Sequence, residues 1–228
     1  MPVQAIPASV FTFLKQLRKN NNREWFNAHK HDFLQQQGFV EVFAEALLSD
    51  LNTHDLIETL SGKKSLHRIY RDVRFSNDKT PYQPKWSGSF RRATAQRRGG
   101  YYFHIEPGNS FIAGGFWGPG TDDLWRIRTD IAFDDTPLRR ILNNKTFVQT
   151  FGTLQGEQLK TVPRGFDAGN PGIDLLRYKQ FLLIRKFTDD EVLANSFVEQ
   201  ASATFKALRP FFNYMSEVLS TGANGEKL

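Results

Sequence analysis

Apolar residues recur every three to four positions through the first fifty residues, and from residue 66 the period changes to two. A chain patterned in this way must bring helices and strands to a common core. Val10, Phe13, Leu14 and Leu17 mark the first helix, with Ser9 placed to cap it. The NNN run at 20–22 ends that helix and caps a second that opens at Arg23. Phe39, Val42, Phe43, Ala46 and Leu47 continue the helical pattern to about Leu51, with a break or bend expected at Gly38. LHRIYRDVRFS (66–76) and KWSGSF (85–90) read as strands, and YYFHIEP and SFIAGGFW as a hairpin around Pro107, Gly108 and Asn109. A helix follows from Asp122, with Leu124, Ile127 and Ile131 on one face. Another begins at Thr136-Pro137, a cap followed by a proline at the first helical position. EQLKTV reads as a short strand, NPGIDLLRYK as a short helix and QFLLIRKF as a buried strand. Thr188 and Glu191 form a capping box. It opens a helical C-terminus striped by Phe197, Ala201, Thr204, Phe205 and Leu208 and interrupted at Pro210. The expectation is α+β: one domain over 1–220, a mainly antiparallel sheet packed by N-terminal and C-terminal helices, and a disordered tail at 221–228.

Composition narrows the function. No run of eighteen apolar residues occurs, so no membrane span is expected, and the opening MPVQAIPASVF has no secretory pattern. Cysteine is absent, which removes disulfides, thiolate nucleophiles and cysteine-held metals and makes the cytoplasm the natural compartment. The formal charge of +6 is unevenly spread. Between Lys63 and Arg98 stand eleven basic residues against Asp72 and Asp78, so that segment carries +9 and the remainder −3.

Within that segment, RIYRDVRFSNDKTPY poses the chemical question. Strand alternation puts Ile69, Arg71, Val73 and Phe75 on one face, and Arg68, Tyr70, Asp72, Arg74 and Ser76 on the other. Arg71 is then a guanidinium on an apolar face. It needs a partner: a carboxylate such as Glu106 or Asp130, backbone carbonyls, an anionic ligand, or an escape to solvent. The SNDKTPY turn places Asp78, Lys79 and Tyr82 at the strand end, where Lys79 would strengthen an anion site and Tyr82 could donate or stack. Arg128 could reach a shared pocket. His104 shares a strand face with Tyr102 and Glu106, a spacing at which His and Glu can orient each other for acid–base work. His104, Glu106 and Asp78 are the catalytic candidates; a structural histidine is the alternative. No metal-ligand spacing is present, and no cofactor is implied. GGFWGPGT lacks the G-K-[ST] ending of a phosphate loop, and Asp122 and Asp123 would repel an anion there, so it reads as a strand-to-helix corner.

NNNREWF, RIYRDVRFSNDKTPY, the YYFHIEP…GGFWGP hairpin, LWRIRTDI and LKTVPRGFD occur in that order. Together they resemble the conserved hypothetical proteins catalogued as domain of unknown function 2461. The resemblance spans nearly the whole chain. It implies a single compact domain and no established reaction.

Three functions remain open. The first is a pocket for a small anionic, phosphate- or carboxylate-bearing ligand, with or without catalysis, built from Arg68, Arg71, Arg74, Lys79, Tyr82 and Arg128. The second is a nucleic-acid-binding module, using the basic segment 63–98 and above all Arg91, Arg92, Arg97 and Arg98 in a solvated loop. The third is a non-catalytic scaffold or partner-binding domain.

Overall fold

The computed structural model describes residues 5–74, 77–221 and 226. Helix α1 spans Ala8–Lys19, α2 Arg23–Ala28, α3 Lys30–His54 and α4 Gly62–Ser65; strands β1, β2 and β3 span Trp86–Arg91, Gly100–Ile105 and Ser110–Phe116. Helices α5 (Thr121–Phe133), α6 (Thr136–Leu142), α7 (Lys145–Phe151) and α8 (Ile173–Leu176) precede β4 (Phe181–Phe187). Helices α9 (Asp189–Leu193), α10 (Phe197–Ala207) and α11 (Arg209–Ser220) close the fold. The strands form one antiparallel sheet in the order β1-β2-β3-β4, as the α+β reading expects. No helix among the described residues is long and apolar enough to cross a membrane.

The chain divides into two compact units. The first holds the described residues up to Phe90 together with Tyr102–Ile112 and Lys186–Ala203. Its core is aromatic: Phe43 of α3 stacks on Phe197 at 5.1 Å and meets Phe103 of β2 edge-on at 5.5 Å. Such pairs add about 0.5–1.5 kcal/mol beyond the area they bury. The second holds Arg91–Tyr101, Ala113–Arg185 and the described residues from Thr204. There Tyr101 meets Phe205 and Phe212 edge-on at 5.1 and 5.0 Å.

Several local signals act as expected. Asn22 caps α2 by accepting from the Trp25 N–H, and Thr188 with Glu191 makes a full capping box at α9. The β2–β3 hairpin turns at Gly108, whose φ of +77° suits glycine. The expected C-terminal stripe is buried throughout.

Other expectations are corrected. Ser9 lies inside α1 and donates to Gln36 Oε1 of α3, leaving Pro7 at the cap position. Helix α3 runs unbroken through Gly38, around which a Cβ would meet nothing. Its buried row is Val40, Phe43, Ala44, Leu47, Leu48 and Leu51, while Val42 is exposed. The apolar run at 39–48 permits two neighbouring rows, and tertiary packing selects between them. Thr136 is the first residue of α6, with Asp135 in the cap position. EQLKTV forms no strand: beyond one bridge, Gln158 to Tyr178, the ladder is not continued.

The largest correction concerns residues 66–74, which form no continuous strand. They touch segment 81–88 at two isolated antiparallel bridges, Leu66 to Gly88 and Tyr70 to Tyr82. Pro81 and Pro84 have no N–H to donate, so the intervening ladder cannot close. Burial still alternates, with Ile69 buried, Arg71 and Val73 half-buried, and Arg68, Tyr70, Asp72 and Arg74 exposed. Phe75 and Ser76 lie outside the described residues, as does most of the 221–228 tail.

Candidate functional site

Strand alternation sorts the hairpin into two faces. In β2, Tyr101, Phe103 and Ile105 enter the core, so Tyr102 and His104 emerge on the other face, with Glu106 just past the strand end. In the neighbouring segment Trp86, Gly88 and Phe90 are buried and packed inward, which leaves Lys85, Ser87 and Ser89 the opposite parity. The result is a polar array across one face of the first unit.

The array is a connected chain of hydrogen bonds. His104 Nε2 lies 2.8 Å from Glu106 Oε2, and His104 Nδ1 lies 3.1 Å from the Tyr102 hydroxyl. Ser87 hydrogen-bonds to Tyr102, and its Oγ is 3.3 Å from His67 Nδ1. His67 Nε2 reaches the exposed Ser89 Oγ at 3.0 Å. At the other end Glu106 is held by Arg18 at 2.8 Å and by the Asn109 amide at 3.0 Å. The ring of Phe111 stacks on His104 at 4.5 Å. Ser110 Oγ bonds the Glu106 backbone, and the Gly108 N–H donates to Asp189, so the turn carrying Glu106 is pinned on both sides.

Charge in the array follows from burial. Burial alone would raise Glu106, but hydrogen bonds from His104 and Asn109 and the charges of His104 and Arg18 hold it below the usual carboxylate range. An ionised Glu106 accepts, so His104 carries its proton on Nε2 and accepts from the Tyr102 O–H at Nδ1. Burial depresses His104 against the opposing pull of Glu106, and it raises the Tyr102 phenol. It also depresses His67, with the Lys85 charge adding to the effect. Lys85 is itself lowered by burial; Glu106 partly offsets this and Arg71 adds to it. Among the described residues no carboxylate lies within ion-pair distance of the Lys85 ammonium.

The residues singled out in the sequence are distributed differently. His104 and Glu106 meet as expected. Arg71 pairs with neither Glu106 nor Asp130 but with Asp78 of its own turn, at 3.0 Å, and its Nε is buried without a hydrogen-bond partner. Arg74 grips Asp72 with two bonds on the exposed side, and Arg68 is exposed nearby. Lys79 donates to the Val73 carbonyl rather than joining the arginines. Tyr82 is a core residue, stacked on Phe26 at 4.0 Å, and Asn21 bonds both its N–H and its C=O as a strand would. Arg128 belongs to the second unit, where it donates to the carbonyls of Leu176 and Tyr178.

The loop at 91–98 is not a freely solvated basic loop. Arg92 is buried, donates to the Arg98 carbonyl at 2.6 Å and to Ser216 at 3.1 Å, and lies over the Phe212 ring. Arg98 pairs with Asp123. Arg91 and Arg97 also have partners. No group of three His, Asp or Glu residues among the described ones could hold a metal ion. A shallow depression of about 380 Å³ lies against Gly108, Lys186, Phe187, Thr188, Asp189 and Glu191. Its acidic residues are occupied in the Gly108 contact and the capping box.

A family model described as "Conserved hypothetical protein (DUF2461)" matches residues 9–214. The chain belongs to the DUF2461 family. No curated protein and no solved structure matches it. Every member of the array in this DUF2461 chain, from Arg18 to Phe111, falls inside the matched stretch.

Sequence reasoning missed Lys85, Ser87, His67 and Arg18. For Lys85 and Ser87 the signal was present: the alternation that set His104 beside Tyr102 also sets KWSGSF in two faces. Arg18 gave none, because it meets Glu106 across 88 positions of chain.

Proposed function

We propose that this DUF2461 protein binds a small anionic ligand, phosphate- or carboxylate-bearing, on the array around Lys85. The observation that carries the reading is the unmatched ammonium. Arg18 is balanced by Glu106 and Arg71 by Asp78, whereas half-buried Lys85 has no carboxylate within ion-pair distance among the described residues, and its charge acts on His67 and His104. A desolvated cation whose field depresses its neighbours creates a potential that an anion relieves. The unpartnered Nε of Arg71 adds a buried donor, and guanidinium N–H groups suit oxyanions. A small ligand fits this arrangement better than a nucleic acid, since Arg92 and Arg98 are committed within the fold.

The test is thermal unfolding against phosphate, sulfate and short carboxylates, repeated at raised salt. An anion at about a hundred times its Kd stabilises by roughly 2.7 kcal/mol, a rise of roughly 5–10 °C for a chain of this size. Lys85→Met is expected to abolish the rise while folding normally. Wild-type protein that responds to no anion, or a variant that responds as strongly as wild type, would sink the reading.

A further inference from the structure

The array does more than concentrate charge. Its hydrogen bonds run in one direction: the Tyr102 O–H donates to His104 Nδ1, and His104 Nε2–H donates to Glu106. Glu106, paired with Arg18 and fixed by Asn109, orients the imidazole and faces the positive charge that would form on it. His104 is buried, while Tyr102 is half-exposed. A proton from bound ligand therefore reaches the imidazole through the phenol. The phenol oxygen has two acceptor positions, so it can accept a proton from a ligand while its own O–H donates to His104.

Resting on the anion-binding reading, we propose that Tyr102, backed by His104 and Glu106, is a general acid–base catalyst. Its substrates would be small anionic carbonyl compounds with a hydrogen on the carbon beside the carbonyl. In the forward step that C–H bond breaks and its electron pair moves to the carbonyl oxygen, giving an enolate. The released proton bonds to the Tyr102 oxygen as the tyrosine's own proton passes to His104 Nδ1. The imidazolium so formed lies against the Glu106 carboxylate, and Lys85 faces the enolate charge. Return of a proton to carbon by the reverse path restores the protein, with no oxidant, reductant or co-reactant consumed. Ser87 is buried and committed to Tyr102 and His67, which suits a positioning residue better than a nucleophile.

Deuterium wash-in tests this whatever product the enolate goes on to form. Full-length protein in D2O is incubated with pyruvate, 2-oxoglutarate, dihydroxyacetone phosphate and glyceraldehyde 3-phosphate, and loss of the C–H signal is followed by proton NMR. The His67 and His104 ring resonances report binding in the same tubes. The expected result is catalysed exchange with at least one compound. It should fall about 10²–10⁴-fold in Tyr102→Phe, with the ligand still perturbing His67. His104→Gln should give a similar loss in kcat at similar KM, and Glu106→Gln should lose the alkaline plateau of the pH profile. A compound that shifts His67 but never exchanges overturns the catalytic inference and leaves anion binding intact. Exchange undiminished in Tyr102→Phe overturns it as well. If none of the compounds moves either histidine, both readings fail together.

Discussion

Two polar networks in this protein are built from similar material and do opposite things. In the first unit, Ser87, Tyr102, His104 and Glu106 are joined in a chain with an imidazole at its centre. In the second, Arg92 and Arg98 are joined to Ser216, to a backbone carbonyl and to Asp123. Guanidinium stays charged at any relevant pH, so the second network holds one state only. Its role is to fasten the 91–98 loop to α11. The first contains a titratable imidazole and has near it a lysine with no carboxylate at ion-pair distance among the described residues. Burial of polar groups alone therefore does not mark a site here; titratability together with an open end does.

That contrast can be broken most forcefully at Arg92. Arg92→Leu leaves the Arg98 carbonyl without the Arg92 donor and removes one of the two N–H donors to Ser216 Oγ, and a buried group left unsatisfied costs about 1–3 kcal/mol. A total near 3 kcal/mol corresponds to a Tm fall of roughly 10 °C. Phosphate-induced stabilisation, measured as a difference in Tm, should be retained in the variant. Its loss would mean that the two networks are not functionally separate.

A smaller effect should appear with acid. His104 and His67 have folded pKa values below the ordinary 6.5. Between those depressed values and about 6.5 the unfolded chain binds the extra protons. Stability is then fully present above about pH 6.5 and is lost as pH falls toward the folded values, by up to about 1.4 kcal/mol per pH unit for buried His104 and by less for exposed His67, which solvent screens. Urea titrations from pH 7.5 to 5 should show the decline, with a shallower slope in His104→Gln. A slope unchanged by the substitution would place the proton uptake elsewhere.

The smallest expected effect is at the pair first picked out in the sequence. Arg71 and Asp78 are 25% and 48% exposed. Solvent screens such a pair, so it adds little to stability. Asp78→Asn should lower Tm by only a few degrees, yet, by freeing the Arg71 guanidinium, should tighten phosphate binding measured by calorimetry. Weaker binding in that variant would argue that Arg71 takes no part in the anion site.

How far the sequence could be read depends on the range of the interactions involved. The hairpin, the α9 capping box, the Asn22 cap and the His104–Glu106 pair are encoded within a few residues, and all were legible. The failed strand at 66–74 was patterned correctly for burial but not for pairing, because its partner's prolines lie on the other segment. The Arg71 partner was sought at a distance and proved to be Asp78, in the turn that follows. Arg92 reads as a surface cation from its neighbours; only Ser216, 124 residues on, makes it a buried one.

The relay residues 102, 104 and 106 all belong to one short stretch at alternate positions. A single inserted residue between Gly100 and Tyr101 would turn all three toward the aromatic core and bring Tyr101, Phe103 and Ile105 outward. The site can thus be kept or lost as one piece, and its reading frame in space is as strict as the one in its gene.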